Sequence, residues 1–480
     1  MNLALIDDIR MEANTRLDPI NKAILGQYMT PASVAQLMAS MLNFRNDGNE
    51  ANLLDCGAGV GTLTIAAVNA IKNIQFVEQW EIDPIMRNYL ESNTKSLGID
   101  YTIYSNDFIE DAVENILEGT GSRFTHAILN PPYKKINSNS AHRKLLRSVG
   151  IETVNLYTAF LALTILLMKD GGRIVAIIPR SFCNGTYYKP FREMLLQHCS
   201  IEWLHLFESR VSTFKDDSVL QENIIISLVK NKPISMVMLS TSKEGDLDNL
   251  KVVTFKPSEI VQDNDPEKFI RFPTSDLYFE DNQLFQHSLS ELGVQVSTGP
   301  IVDFRERPLL IKDVTETSLP IVPMPYPHHF VNGEVIYPRE HKKYPNAILQ
   351  VDKLKKSLWP AGYYVLIKRF SSKEELRRIV AYLVTPSSFK SELLAFENGW
   401  NVLHIQKSGL SAELATGLTC FLNSSEVDNY FRIFSGHTQV NATDLRNMRF
   451  PSLDALSRMG RMFRPGMMQS KIDAIVEGFK

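Results

Sequence analysis

The chain has 480 residues, 44% hydrophobic and 22% charged, which excludes a disordered or fibrous protein and is too long for one ordinary core, so two or three domains are expected. A formal net charge of −3 excludes a globally basic nucleic-acid binder and leaves any such role to local patches. The longest apolar run, "LYTAFLALTILLM", falls short of the ~20 residues of a membrane span. The four cysteines, Cys56, Cys183, Cys199 and Cys420, form no CxxC pair, and the opening "MNLALIDDIRMEANTR" does not read as a leader. A cytoplasmic protein with no disulfide framework, no metal site and no membrane partner is expected.

From about Ala51 onward, short apolar runs alternate with helical periods. "NLLDCG", "IQFVEQWE", "YTIYSND", "HAILN" and "GGRIVAIIP" read as strands, with helices over 62–71, 84–97, 109–117 and 155–168. That rhythm predicts a doubly wound, mostly parallel α/β sheet. A helix at 189–197 is followed by "IEWLHLF" and "ENIIISLVK", which have no helical pattern between them, so an antiparallel strand pair is expected at one edge. Past residue 230 the texture changes. "TFKPSEIVQDNDPEKFIRFP" and "MPYPHHFVNGEVIYPREHKKYP" are rich in Pro, Asn and Asp and predict a separate, irregular α+β region. The expected division is 1–234 and 235–480.

Three strand ends carry the chemistry. "LLDCGAGVGTLTIAA" sets Gly57, Gly59 and Gly61 between a strand and a helix, a loop able to cradle a ligand; its GxGxG spacing argues against a nicotinamide cofactor. The second strand ends in Glu81, Ile82, Asp83 and Pro84, and an acid there can accept hydrogen bonds from both hydroxyls of a ribose. The third ends in Asn106, Asp107 and Phe108, a carboxylate for an adenine amino group and a ring to stack on. Taken singly, each is as readily a solvated acid or a core aromatic. Together they fall on the face where open α/β sheets bind ligands.

The fourth strand stops at Asn130, Pro131, Pro132 and Tyr133. Pro132 lacks an N–H and holds Pro131 extended, which makes a stiff, carbonyl-rich turn ending in an aromatic ring. Lys134, Lys135, Arg143, Lys144 and Arg147 follow with no acid among them, a pattern suited to a polyanion. A second basic run extends from Arg432 to Arg464 and interleaves with aromatics.

In this order, "GQYMTP" (26–31), "LDCGAGVGTLT", "EIDP", "NDF", "NPPY" and "NLYTAFLALTILLMKDGGRIVAIIPRSF" resemble the S-adenosylmethionine-dependent amino-methyltransferases of DNA, in the γ arrangement of N6-adenine enzymes. The resemblance extends to BsuBI/PstI-type modification methylases, including "FKDDSVLQENIIISLVK", and covers residues from about 20 to 232. It implies a catalytic domain at 1–234 and a DNA target-recognition domain at 235–480. S-adenosylmethionine is then the cofactor, held by Thr30, Gly57, Gly59, Glu81, Ile82, Asp107, Phe108 and Phe160, with Asp55 orienting the glycine loop.

The same resemblance makes Asn130, Pro131, Pro132 and Tyr133 the catalytic turn. An exocyclic adenine amine is a poor nucleophile because its lone pair is delocalised into the ring; two carbonyl acceptors, on Asn130 and Pro131, can draw it out. The base must be flipped from the duplex to reach them, with Tyr133 stacking on one face and Phe214 on the other. Lys134, Lys135, Arg143 and Lys144 are expected on DNA phosphates. Expected partners are double-stranded DNA and a cognate restriction endonuclease acting on the same site, with the chain a monomer or weak dimer.

Other classes fare worse. Cytosine C5 methylation needs a Pro-Cys nucleophile, which is absent. Methyltransferases of ribosomal RNA or of protein glutamine share NPPY but lack so large a C-terminal region. A nuclease reading has only Glu340 and Lys342 with Asp303, a pattern common by chance, and a non-catalytic DNA-binding subunit would not need an intact NPPY.

Overall fold

Strands that are apolar on both faces need cover on both faces, and the parallel sheet of this protein has it. The computed structural model describes residues 3–18, 26, 28–44, 48, 50–207, 222–242, 250–273, 282–315, 317–371, 375–435 and 439–480. Nine strands, β1 (Ala51–Cys56), β2 (Ile74–Trp80), β3 (Asp100–Tyr104), β4 (Phe124–Leu129), β5 (Met168–Pro179), β6 (Cys199–Phe207), β7 (Asn223–Lys230), β8 (Val237–Ser242) and β9 (Lys251–Phe255), form one sheet. Their order is β3-β2-β1-β4-β5-β7-β6-β8-β9. The helices of this unit that bear on the site are α1 (Leu3–Arg16), α2 (Ala32–Asn43), α3 (Thr62–Ala70), α4 (Pro84–Lys95), α5 (Phe108–Leu117), α6 (Ala141–Ser148), α7 (Leu156–Leu167) and α8 (Lys189–His198).

Alternate residues of the central strands feed two core layers. Leu54, Ala127, Ile174 and Ile226 pack with α5 and α7 on one face; Leu53, Ile128, Val175, Ile177 and Ile225 pack with α2 and α3 on the other. Helix α7 is apolar almost all round because it is buried almost all round. Two acids begin helices where strands end. Asp83 accepts from the backbone N–H of Ile85 and Met86 ahead of α4, with Pro84 in the first turn, and Asp107 accepts from Ile109 ahead of α5.

The mostly parallel sheet with an antiparallel edge is as expected: β7 runs antiparallel to both β5 and β6, between them. The expected boundary at 234/235 is not where the sheet stops. β8 pairs parallel with β6 and β9 antiparallel with β8, so the first compact unit is Met1–Phe272 and the second Pro273–Lys480. Side chains fasten the extension. Ser240 Oγ takes the Trp203 indole N–H at 2.8 Å and meets His205 Nδ1 at 2.8 Å, and the buried Arg192 guanidinium donates to the Glu267 carbonyl. The Pro- and Asn-rich "NKPISM" masks this strand, being only the turn into it. Helix α6 forms where the sequence reads as a loop, with Ser140 capping it through the N–H of Arg143.

The second unit is α+β, as the sequence predicts. A four-stranded antiparallel sheet takes its strands in the order Gln295–Thr298, Trp400–His404, Tyr364–Lys368 and Ala381–Val384, around a core of Trp359, Tyr364, Phe396 and Trp400. Helices Ala412–Leu422, Ser425–Phe434, Leu453–Met462 and Gln469–Glu477 follow. Among the described residues, no helix of the chain is long and apolar enough to cross a membrane.

One buried ion pair clamps the first sheet across β7: Arg173 of β5 donates to Glu202 of β6 at 2.9 Å, with the carboxylate almost wholly enclosed. Arg173→Met takes this partner from the buried carboxylate and should destabilise the unit by up to about 3–5 kcal/mol, with most of the loss recovered in the Arg173→Met/Glu202→Leu double variant. Urea melts of the parent and both variants check it.

Candidate active site

The carboxyl ends of β1 to β4 open onto one cavity of about 240 Å³. Its floor is the glycine loop, where Gly57, Gly59 and Gly61 all have positive φ, a region closed to most side chains. A Cβ on Gly57 would project to within 3.9 Å of the Asn130 carbonyl oxygen and the Phe160 ring, so the missing side chain is part of the cavity.

Glu81 holds this loop. One carboxyl oxygen accepts from the N–H of Gly59 at 2.8 Å and the other from Asp83 at 2.8 Å. Burial pushes its carboxyl up to about 7, against those two hydrogen bonds. Asp55, expected to orient the loop, sits one layer deeper and does not line the cavity. It accepts from the Thr64 hydroxyl at 2.7 Å, its other oxygen has no partner, and burial pushes it up to about 7, with the Glu81 charge adding to the rise. Bracing the loop therefore falls to Glu81.

Farther out, Ile82 is 52% exposed at the cavity wall, and Phe108 and Phe160 face each other there with ring centroids 5.0 Å apart. Asp107 also lines it, one oxygen capping α5 and the other 3.0 Å from Nε2 of His142 on α6. His142 and Trp80 line the cavity too, and sequence reasoning missed both. Only the fold brings His142 back over a carboxylate 35 residues earlier. A tryptophan one residue before a strand-end acid was in plain view and could have been found.

The Asn130 turn closes the other side. The amide nitrogen of Asn130 donates to the Tyr28 carbonyl at 2.7 Å and to the Thr30 hydroxyl at 3.0 Å, while its Oδ1 is buried with no partner. The segment ahead of α2 thus lies against the turn, and Gly26 permits it: a Cβ there would stand 3.1 Å from the Tyr133 nitrogen. Pro131 is buried and Pro132 lines the cavity. Tyr133 is tethered at its far end, its hydroxyl donating to the Ile177 carbonyl at 3.1 Å, and its ring packs beside Tyr28 and Tyr157. Phe214, expected opposite Tyr133, lies outside the described residues.

The basic segment is less free than its sequence reads. Lys134, Lys135 and Lys144 are exposed, and Lys134 lines the cavity. Arg143 is not exposed: it turns inward and pairs with Glu152, which also takes Arg147 at 2.8 Å. An acid beyond the segment supplies the charge missing within it. The second basic run is similarly engaged, with Arg432 on Asp428 at 2.7 Å and Arg461 on Glu413 at 3.4 Å.

Residues 60–214 match the family model described as Eco57I restriction-modification methylase. The chain is 49% identical over 476 residues to the type II methyltransferase M.BsuBI of Bacillus subtilis, covering 96% of this chain and 93% of that protein. It is 39% identical over 496 residues to the type II methyltransferase M.PstI of Providencia stuartii, covering 98% and 96%. Among solved structures, the type IIG restriction endonuclease BpuSI aligns with 92% of this chain and 61% of its own at 14% identity and a TM-score of 0.48.

The two raised carboxyls set a pH dependence. Asp55 and Glu81 rise from ordinary values of 3.8 and 4.5 to about 7 on folding, so between those limits the folded chain binds protons that the unfolded chain has released. Stability of the ligand-free protein should therefore fall as pH climbs through that window and level off above about 7. Denaturant melts at a series of pH values check this, and Glu81→Gln should flatten the slope.

Proposed function

The chain belongs to the modification methyltransferases of restriction-modification systems represented by M.BsuBI and M.PstI, and from that membership we propose that it methylates N6 of a flipped-out adenine at a specific site in duplex DNA, with S-adenosylmethionine as donor. The observation that carries the reading is Asn130: its amide nitrogen is fully engaged and its carbonyl oxygen is buried and unpaired. A buried acceptor left without a donor is costly, and an incoming amine hydrogen relieves it.

The residues of the cavity fit the cofactor. The gap left by Gly57 admits a ligand against backbone, Glu81 and Asp107 present carboxylate acceptors, and Phe108, Phe160 and Ile82 offer apolar walls to a purine. When bound, S-adenosylmethionine supplies a methyl group activated on a sulfonium. In this reading Glu81 accepts from the ribose hydroxyls, Asp107 accepts from the adenine amine of the cofactor, and Thr30 closes the end next to Asn130.

Asn130 Oδ1 and the Pro131 carbonyl accept the two hydrogens of the target amine and favour a tetrahedral nitrogen with its lone pair free. Because Tyr28 and Thr30 hold the amide nitrogen, the side chain cannot flip to present a donor instead. Tyr133, fixed at its hydroxyl, gives the flipped base a ring to stack on, with Phe214 proposed on the other face. Lys134, Lys135 and Lys144 take phosphates. Because residues 235–272 complete the first sheet, reading of the DNA sequence is proposed for the second unit, 273–480, and a cognate endonuclease acting on the same site is the proposed partner.

Incubation with labelled S-adenosylmethionine and duplex DNA, followed by nucleoside analysis, should place label on N6-methyl-2′-deoxyadenosine; label confined to RNA, protein or cytosine would overturn the reading. Asn130→Ala should lower turnover by about 10²–10³-fold or more while calorimetry finds cofactor affinity retained. Replacing Lys134, Lys135 and Lys144 with Ala should weaken binding to all DNA sequences alike and reduce the log–log salt slope by about 0.9 for each phosphate the variant leaves without a protein cation. Adding Arg143→Ala should not reduce it further, since Glu152 already holds that charge.

A further inference from the structure

Asn223 opens β7 with only 4% of its surface exposed, and neither its amide oxygen nor its amide nitrogen has a hydrogen-bond partner. Asparagine is a poor strand residue, and a primary amide buried with both ends unpaired is among the costlier things a core can contain. An apolar residue of the same size would suit the strand better. Something other than the fold accounts for this amide.

Its position says what that is. β4 and β5 pair Leu129 with Ala176, so the next residue along, Asn130, comes level with Ile177, whose carbonyl tethers Tyr133. β5 and β7 pair Ile177 with Ile225, and Pro179 with Asn223. Asn223 therefore stands two strands over from Asn130 at the same edge of the sheet, one side-chain repeat farther out. The two amides also share a face. Ile128, Ile177 and Ile225 pack in one core layer with α2, Asn223 is two residues from Ile225, and Asn130 reaches Tyr28 and Thr30 just ahead of α2.

With both amine hydrogens of an adenine accepted by Asn130 and Pro131, the base still presents ring nitrogens flanked by C–H groups: N1 beside C2–H and N7 beside C8–H. A primary amide sets an N–H donor beside a carbonyl and matches such an edge. We propose that Asn223 is a second contact to the target base, its Nδ2 donating to a ring nitrogen of the adenine and its carbonyl facing the adjacent C–H. This rests on the adenine reading above and adds to it a residue that holds the flipped base in register with the Asn130 turn.

The test uses the full chain, labelled S-adenosylmethionine and a duplex bearing the methylated site, and compares the parent with Asn223→Leu and Asn223→Asp. The leucine variant should melt no lower than the parent, since it removes two unpaired groups at similar volume. Both variants should keep cofactor affinity yet transfer methyl about tenfold to a hundredfold more slowly in single turnover, the aspartate because it lacks the donor. Replacing the target adenine with 7-deazaadenine or with 1-deazaadenine should slow the parent by a similar factor at one of the two and slow the leucine variant no further. A leucine variant that melts lower but turns over normally per folded molecule, or analogue penalties equal in parent and variant, would overturn the proposal. If the parent labels a base other than adenine, the proposed function fails separately, and the comparison of melting with rate still decides whether Asn223 touches whichever base is labelled.

Discussion

The site depends on two hydrogen bonds between parts of the chain a hundred residues apart. A primary amide can flip, and a flipped Asn130 would put two donors where its oxygen now offers an acceptor. The Tyr28 carbonyl and Thr30 hydroxyl remove that freedom by taking both amide hydrogens, which leaves the oxygen as the unpaired end of the amide. Much nearby serves the same end. Gly26 lets the N-terminal segment approach, two prolines stiffen the turn, and the anchor on Ile177 keeps the Tyr133 ring from swinging away. An aspartate at 130 would fit the space and lose both donors.

The acids at the strand ends each meet two demands. Asp107 caps a helix with one oxygen and faces the cavity with the other, and Glu81 divides its oxygens between the glycine loop and the start of the next turn. A carboxylate has about four acceptor positions, so structural bonds leave room for a ligand. Burial raises Glu81 toward neutrality and makes the ligand-free cavity costly in charged form. Binding then recovers part of what folding gave up, a common arrangement where function and stability meet.

Local signals were readable in the sequence. Strands β1 to β7, the glycine loop, Glu81, Asp107 and the Asn130 turn all lie within short stretches whose chemistry is complete in itself. What escaped needed a partner from elsewhere. Arg143 reads as a free cation until α6 swings it onto Glu152, and His142 reads as one residue of a basic loop until it meets Asp107. β8 is invisible in the sequence because its pairing with β6 depends on His205, Trp203 and Ser240 converging from separate segments. Asn223 sits unnoticed ahead of a run of isoleucines, where only burial shows that its amide is unpaired.

The insertion of β7 between β5 and β6 has a consequence for how the chain is made. β6 leaves the ribosome before its eventual neighbour exists, and it cannot dock beside β5 without taking the place reserved for β7. Until residue 230 has been synthesised, two long, apolar strand edges stand open in the nascent chain, and an open edge is a template for pairing with another chain. The Asn130 turn at the end of β4 is made long before this gap closes, yet the strand that anchors Tyr133 keeps a bare edge until it does. Early termination in this stretch would leave every motif of the site present and the sheet beneath it unfinished.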